Sequence, residues 1–345
     1  MDGSDGRQGK ARATMMDVAS LAGVSQATVS LVLNGSPGAK LTDGTRRRVR
    51  DAAARLGYEK PRRRTRRTAE VQPAILFLCD DIATDPWMMQ AFDGAQRKAA
   101  EHGMNVLLAV SGDRDGETAV MDQIAATPIS GVIYATMLTR LVEPSSAVLG
   151  HRTVLLNAYD AAGRLPSVVP DDVGGGRTAT RHLIEAGCRR IGFINGQKGI
   201  DASRDRLKGY RQALTAAGLR HDPKLVRPGT WEPESGYAHT RALLALDTPP
   251  DAIFCANDPM AYGCYEALRE AGLRVPDDIS VVGFDDRDLA KAMHPPLTTL
   301  LLPHAEMGEL AADRLIGMAG GDAPMSARMR VDCALVPRAS VRPPD

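Results

Sequence analysis

The chain has 345 residues, which predicts two or three domains and ample length for a buried core. With 43% hydrophobic and 25% charged residues, its composition excludes wholesale disorder and fibrous proteins. No apolar run approaches the length of about 18 residues that a membrane-spanning helix needs. The first ten residues are polar and glycine-rich, unlike a secretory signal. We therefore expect a cytoplasmic protein without a membrane partner.

The net charge of +1 combines two regions of opposite charge. Residues 1–70 contain 15 Lys and Arg against 7 Asp and Glu, whereas residues 71–345 contain 28 basic and 35 acidic residues. This asymmetry suggests that the first region meets a polyanion and the second a neutral or weakly charged partner. The basic excess peaks in five arginines, which we interpret as a linker that can also contact phosphates: Arg62, Arg63, Arg64, Arg66 and Arg67.

Three short helices are predicted near the N terminus. Thr14 is the expected N-cap of the first helix, which Gly23 ends. Ser25 is the expected N-cap of the second helix, which runs to about Leu33, and Thr42 is that of the third, which runs to about Leu56. Two helices joined by a tight glycine-containing turn form a helix-turn-helix. Spacing and charge alone leave DNA binding no more favoured than other uses of such helices.

The apolar side chains of these helices are expected to form one small core. Its predicted members are Val18, Ala19, Ala22, Val29, Val32, Leu33, Val49, Ala52, Ala53 and Leu56. On the second helix, the remaining positions point away from this core: Gln26, Ala27, Ser30 and Leu31.

From about residue 72 onward, apolar runs rich in β-branched residues alternate with amphipathic helices. The predicted strands cover residues 74–79, 106–110, 131–135, 154–156, 191–194, 252–255 and 279–284. Four of the helices end in a glycine, at Gly103, Gly187, Gly218 and Gly272. A repeated β-α pattern of this length predicts two lobes of doubly wound parallel sheets, an α/β fold with a ligand cleft between the lobes.

The N-terminal motifs carry a family resemblance. Asp17-Val18-Ala19, residues 22–30 (AGVSQATVS) and Gly57-Tyr58 closely resemble the DNA-binding headpiece of LacI/GalR-family transcriptional regulators. The resemblance implies that the second helix enters the major groove of double-stranded DNA. Base edges would be contacted by Gln26, Ala27, Ser30 and Leu31. Phosphates would be contacted by Ser25, Thr28, Asn34, Arg62, Arg63 and Arg64.

Two departures from the family pattern affect DNA reading. Leu31 stands where the family usually has an arginine that grips guanine, so the operator should differ at that base pair. Residues 59–67 (EKPRRRTRR) lack the leucine that the family wedges into the minor groove to kink DNA. We expect weaker kinking and a larger salt-sensitive component of binding.

The resemblance extends over nearly the whole chain. Residues 204–210 (RDRLKGY), 256–258 (AND) and 275–286 (VPDDISVVGFDD) look like the family's periplasmic-binding-protein-like core. Carried over position by position, the effector would contact Asp85, Trp87, Asn157, Arg206, Trp231, Asn257 and Asp285.

The resulting domain limits are a headpiece over residues 1–58, with its helices beginning near residue 14, and an arginine-rich hinge over 59–71. The core is expected to span 72–340, followed by a tail over 341–345. Its first lobe would comprise about 72–168 and 303–330, and its second lobe about 169–302 and 331–340.

The candidate effector residues suit a sugar. A pyranose has one apolar face and a rim of hydroxyls, so Trp231 would supply a platform, and Arg206, Asn257 and Asp285 would bind the rim. Structural roles compete with these assignments: Trp231 as a strand-edge core residue, Asp285 as a loop cap, Asn257 as a turn residue and Trp87 as packing. Purines, sugar phosphates and a protein co-regulator also stay open as effectors.

The sequence therefore predicts a homodimeric transcriptional regulator, most simply a repressor, that binds a pseudo-palindromic operator under the control of a small molecule, most simply a sugar. No metal motif, cofactor motif or catalytic elbow is found, so no cofactor, metal or enzymatic activity is expected. The alternatives are a sugar-binding transport protein, which would share the two-lobed core, and an effector-binding module without specific DNA binding.

Overall fold

A computed structural model describes residues 14–33, 42–56, 58, 73–82, 87–321 and 328–343. The chain divides into two compact units, Met1–Val71 and Gln72–Asp345. They are called the headpiece unit and the core below.

The headpiece unit contains the helices α1 (Met15–Ala22), α2 (Gln26–Leu33) and α3 (Asp43–Arg55). All three predicted caps are confirmed. The Thr14 hydroxyl accepts from Asp17 N, and the Asp17 carboxylate accepts from Thr14 N at 2.8 Å, which completes a capping box. Ser25 Oγ accepts from Thr28 N, and Thr42 Oγ1 accepts from Thr45 N. Each cap satisfies a backbone N–H that the first turn leaves without a helical partner.

The three headpiece helices bury a core of alanine and valine. The buried side chains are Val18, Ala19, Ala22, Val29, Val32, Val49, Ala52 and Ala53. Leu33 and Tyr58 pack against them and are half-buried. The prediction for Leu56 was wrong, because Leu56 is the C-cap of α3 and 36% of its surface is exposed. The helix ends at Arg55, so the helical periodicity that predicted Leu56 on the inner face does not extend to Leu56.

The first sheet of the core has six parallel strands. In spatial order they are β11 (Arg328–Val331), β5 (Ser167–Pro170), β4 (Thr153–Tyr159), β3 (Ile129–Leu141), β1 (Ala74–Cys79) and β2 (Val106–Val110). Its two faces pack separate clusters, one built around Phe77 and the other around Leu76 and Leu78. This is the two-sided burial expected of a doubly wound sheet.

The second sheet has four parallel strands. In spatial order they are β7 (Val226–Pro228), β6 (Ile191–Asn195), β8 (Ala252–Cys255) and β9 (Ser280–Val282). A small antiparallel pair lies beside it, formed by β10 (Thr299–Leu300) and β12 (Leu335–Val336). The predicted α/β fold of parallel sheets is confirmed.

Helices cover the faces of both sheets. They are α4 (Trp87–Glu101), α5 (Arg114–Gln123), α6 (Ser146–Leu149), α7 (Asp172–Glu185), α8 (Asp201–Ala216), α9 (Pro233–Leu244), α10 (Asp258–Glu270), α11 (Asp288–Ala292) and α12 (His304–Gly320), with a 3-10 turn at Pro223–Leu225. The four glycines predicted to end helices all adopt a left-handed backbone, with φ between 67° and 85°. No helix among the described residues is both long and apolar enough to cross a membrane.

The strand predictions succeed where a strand is a continuous apolar run of four or more residues. Those at 74–79, 106–110 and 252–255 match β1, β2 and β8. Five strands were not predicted from the sequence, and each has four residues or fewer: β5, β7, β10, β11 and β12. Strand β11 lies at the edge of its sheet and exposes Arg328 and Arg330, so its composition resembles a loop.

Candidate functional site

Helix α2 presents the headpiece side chains that were expected to read DNA. Gln26 is exposed, Leu31 is 39% exposed and Ser30 is half-buried. Ala27 lies in the same helix, at a position whose side chain is outside the description. The exposed amide of Gln26 can donate and accept in one plane, whereas Leu31 offers apolar contact alone.

The start of α2 holds the predicted phosphate contacts. The hydroxyls of Ser25 and Thr28 are 2.9 Å apart, and Ser25 also caps the helix. Hydroxyls at a helix N-terminus can turn toward an anion, which the helix dipole favours. The other predicted phosphate contacts, Asn34 and Arg62 to Arg64, lie outside the described residues.

In the core, Arg206 is the centre of a buried polar cluster. Its side chain is 4% exposed, and its Nε donates to Asp172 Oδ1 at 2.8 Å. One terminal nitrogen donates to the Ala256 carbonyl and lies 3.6 Å from Asp285 Oδ1. The guanidinium stacks over Phe284 at 3.6 Å from the ring centroid. These contacts hold Arg206 in one orientation.

Two glycines explain how α8 brings Arg206 to this position. A Cβ at Gly176 of α7 would lie 2.3 Å from the Arg206 carbonyl oxygen, and one at Gly209 of α8 would lie 2.2 Å from the Val173 carbonyl oxygen. The backbones of α7 and α8 therefore approach each other more closely than any side chain would allow. This approach places Asp172, at the start of α7, within reach of Arg206.

Asp285 follows β9, and a backbone hydrogen bond fixes its position. Its N–H donates to the Leu300 carbonyl at 2.7 Å, and φ is 111°. Its carboxylate also lies 3.8 Å from Arg287 Nε. Burial and the charge of Asp285 raise the pKa of the neighbouring Asp258 to about 8. The cluster thus pairs arginine cations with carboxylates in the buried interior.

Trp231 lies in the turn between β7 and α9, with φ at 72°. Its carbonyl accepts from Asn257 Nδ2 at 2.8 Å, while Asn257 Oδ1 accepts from Met260 N as the N-cap of α10. Asn257 is therefore a helix cap rather than a turn residue. The indole lies against Gly196, and the guanidinium of Arg206 is 5.6 Å from its ring centroid. Four of the predicted effector residues, Arg206, Trp231, Asn257 and Asp285, thus come together.

Asn157 lies at the carboxyl end of β4 in the first sheet, with its amide fully engaged there. Its Nδ2 donates to the carbonyls of Thr136 and Met137, and its Oδ1 accepts from Thr139 Oγ1 at 2.5 Å. These bonds fix the orientation of the Asn157 amide at the end of β4. Trp87 begins α4 but its side chain is not described, and Asp85 lies outside the described residues.

Backbone strain concentrates at these positions. Among the described residues, four non-glycine residues have a left-handed φ: Asn157, Trp231, Asp285 and Asp286. Three of the four are predicted effector residues. For a bulky residue such as Trp231 this conformation is a clear outlier, and such outliers cluster at binding sites.

Sequence reasoning missed several members of the cluster. Asp172 and Phe284 pack directly against Arg206, and Ser203 lies one helical turn before it on α8. The pair of glycines at 175 and 176 was the available signal for the close approach of α7 to its neighbour. Tyr159 Oη, at the end of β4, donates to Asp201 Oδ2 at the start of α8. This hydrogen bond connects the first sheet to a helix that packs on the second sheet.

The described elements define a class of protein: a helix-turn-helix unit joined to a core of two parallel sheets whose strand ends hold a buried polar site. Known proteins share both parts. Residues 14–60 match the family described as bacterial regulatory proteins, lacI family, and residues 180–341 match the periplasmic binding protein-like domain.

Individual relatives match over nearly their whole length. The chain is 34% identical to the HTH-type transcriptional repressor CytR of Escherichia coli (strain K12), with 96% of each chain covered. The solved complex of the transcriptional regulator CelR with cellobiose has a TM-score of 0.66 and 32% identity, covering 95% of this chain and all of that one. The lac repressor dimer bound to operator and the anti-inducer ONPF has a TM-score of 0.67 and 28% identity, covering 96% of this chain and all of that one.

The chain belongs to the LacI family of bacterial transcriptional regulators. The family resemblance inferred from the sequence motifs is confirmed, and so is the reading as a DNA-binding regulator rather than a transport protein.

Proposed function

We propose that the protein is a homodimeric repressor that binds a pseudo-palindromic operator through α2 of each headpiece. The exposed Gln26 and Leu31 would contact base edges together with Ala27 and Ser30. The hydroxyls of Ser25 and Thr28 support phosphate contacts, to which Asn34 and the linker arginines Arg62 to Arg64 would add. The relative solved on its operator is a dimer, which supports two half-sites related by two-fold symmetry.

The same proposal assigns the buried site of the core to a small effector, with the two sheets and their helices as the two lobes. Arg206, Trp231, Asn257 and Asp285 would contact it from the second lobe. Asp85, Trp87 and Asn157 remain the candidates in the first lobe. Effector binding would favour one arrangement of the lobes, and the coupling energy would be the difference in operator affinity between the two arrangements.

A neutral sugar is the effector that this site supports best. The observation that carries the assignment is the strained Trp231, whose partly buried indole lies beside the buried hydrogen-bonding side chains of Arg206, Asn257 and Asp285. An aromatic face beside planar donors and acceptors suits a pyranose. One solved relative binds cellobiose, which is a sugar. Such a regulator acts on DNA in the cytoplasm and needs no catalytic step.

Replacing Trp231 by Ala tests the effector site. We expect wild-type protein to lose operator affinity when a bound sugar is added, and Trp231→Ala to lose this response because its sugar Kd rises at least about tenfold. Fluorescence anisotropy of labelled operator, with and without sugar, measures the response. Tyr262→Ala, which removes an exposed aromatic ring of α10, is the control and should respond like wild type. A normal response from Trp231→Ala would show that the sugar binds elsewhere.

A further inference from the structure

Ser203 Oγ and Trp231 Nε1 are buried hydrogen-bond donors of the core that have no partner among the described residues. Ser203 is 3% exposed, so bulk water does not satisfy its hydroxyl. A folded protein seldom leaves a buried polar group without a partner, and such groups often mark a site that a ligand completes.

Both donors flank one turn at the carboxyl end of β6. The Asn195 side chain donates from Nδ2 to the Ser203 carbonyl at 3.0 Å and accepts from Gly196 N at 2.8 Å. The Trp231 indole packs on the same turn, since a Cβ at Gly196 would lie 2.0 Å from Trp231 Cζ2. Ser203 and Trp231 therefore border the edge of the sheet where doubly wound proteins bind ligands.

The start of α8 adds a second feature to this place. The N-cap residue of α8 is Ile200, whose apolar side chain offers no hydrogen bond to the first turn of the helix. Ser203 lies in that turn, and Arg206 lies three residues later on the same face. Uncapped N–H groups and a donor hydroxyl together favour an acceptor atom in front of the helix.

The charges nearby favour a neutral ligand. Arg206 is already paired with Asp172 at 2.8 Å and approached by Asp285 at 3.6 Å. Asp201, at the start of α8, brings a further carboxylate close to the first turn. The buried guanidinium of Arg206 is therefore already matched by carboxylates, whereas a sugar hydroxyl or ring oxygen needs no opposite charge.

We propose that Ser203 Oγ and Trp231 Nε1 form a specificity subsite that donates hydrogen bonds to two neighbouring oxygen atoms of a neutral, hydroxyl-bearing effector. This inference rests on the proposed sugar-binding function and adds Ser203 to the residues that recognise the ligand. It also gives Trp231 a second role, because the ring supplies a polar donor as well as an apolar face. Gly196 is the positioning residue that leaves room for the indole.

The subsite is tested with full-length protein and a panel of neutral mono- and disaccharides that includes D-ribose and cellobiose. Inorganic phosphate and D-ribose 5-phosphate are the anionic comparisons. Calorimetric titration gives Kd for wild type, Ser203→Ala and Trp231→Phe, the latter keeping a ring but losing the donor. We expect each substitution to weaken the best-binding sugar about tenfold, since each removes one hydrogen bond. Thr215→Ala, at an exposed position of the same helix, should bind like wild type.

Monodeoxy analogues of that sugar separate contact from packing. The analogue that lacks the hydroxyl contacted by Ser203 should bind wild type about tenfold more weakly than the parent sugar does. Ser203→Ala should bind this analogue and the parent sugar equally, because the substitution and the missing hydroxyl remove the same hydrogen bond. Equal weakening of the parent and all analogues by Ser203→Ala would overturn the subsite and indicate a structural role. An unchanged Kd would overturn it as well.

The remaining outcomes separate this inference from the proposed function. If Ser203→Ala binds sugar normally while Trp231→Ala does not, the effector site stands and the subsite falls. If the wild type binds no neutral sugar of the panel, or binds the anionic comparisons more tightly, both the subsite and the sugar effector fall.

Discussion

The headpiece and the core place their polar chemistry differently. In the described headpiece, the buried side chains are alanines and valines, and the residues assigned to DNA, such as Gln26 and Leu31, lie on the surface. In the core, the polar residues assigned to the effector are buried: Arg206, Asn257 and Asp285 are each at most 6% exposed.

This difference in burial determines which substitutions each region tolerates. A surface side chain can change without leaving a buried group unsatisfied, so a headpiece can acquire a new base preference at little cost in stability. A buried polar network ties recognition to stability, because removing one member strands its partner away from water. The two regions should therefore respond differently to mutation.

The largest expected effect comes from Arg206→Met in the core. It leaves the carboxylate of Asp172 buried without its ion pair, and we expect the core to lose about 3–5 kcal/mol of unfolding free energy. Urea denaturation of the full chain measures the change. In the double variant Asp172→Leu with Arg206→Met, much of that loss should be recovered because both charges are gone.

An exposed ion pair provides the matched control for Arg206. Arg269→Met breaks the contact with Glu266 on the surface of α10 and should change stability by less than about 1 kcal/mol. If Arg206→Met were as mild as Arg269→Met, the buried network would not support the fold and the contrast between the two regions would fail.

A second effect concerns pH. Burial, with the charges of Arg206 and Arg287, lowers the pKa of His304 to about 4. The unfolded chain takes up this proton near pH 6.5 and the folded core does not, so His304 makes stability fall as pH drops from about 6.5 to 4. The contribution reaches about 3 kcal/mol.

Other buried groups titrate as well, so the measurement is a difference between proteins. The unfolding free energy of His304→Gln should fall less steeply between pH 6.5 and 4 than that of wild type. His102→Gln, at an exposed position of the core, should follow the wild-type curve. Parallel curves for wild type and His304→Gln would contradict the assignment.

The smallest effect on stability is expected at Leu31 of the headpiece. Leu31→Arg at this exposed position should change the unfolding free energy by less than about 0.5 kcal/mol. It should nevertheless alter base preference toward guanine at one position of each half-site, by about 1–3 kcal/mol. Competition between operator variants measures the preference, and an unchanged preference would remove Leu31 from the reading surface.

The predictable parts of the molecule are those that local sequence patterns determine. Thr14 and Thr42 were identifiable as caps, and β1, β2 and β8 as strands, because capping chemistry and apolar runs act within a few residues. The edge strand β11 was not predictable, since its partner β5 lies about 160 residues earlier in the chain.

The candidate site also contains residues that the sequence identified and contacts that it did not. Arg206, Trp231, Asn257 and Asp285 were identified through the family resemblance, not through any local pattern. The Asp172–Arg206 pair depends on the approach of α7 to α8, and the buried hydroxyl of Ser203 without a partner is likewise a feature that only the folded structure displays. Long-range packing therefore determines which polar groups are paired and which remain for a ligand.

Selection of binding sites from random double-stranded DNA tests most directly whether this protein reads a symmetric operator. Purified full-length protein at near-physiological salt should enrich two inverted half-sites, with the bases opposite Gln26 and Leu31 among the most restricted. Salt-sensitive binding without any enriched sequence would contradict the claim, because it would mean that the headpiece contacts phosphates without reading bases.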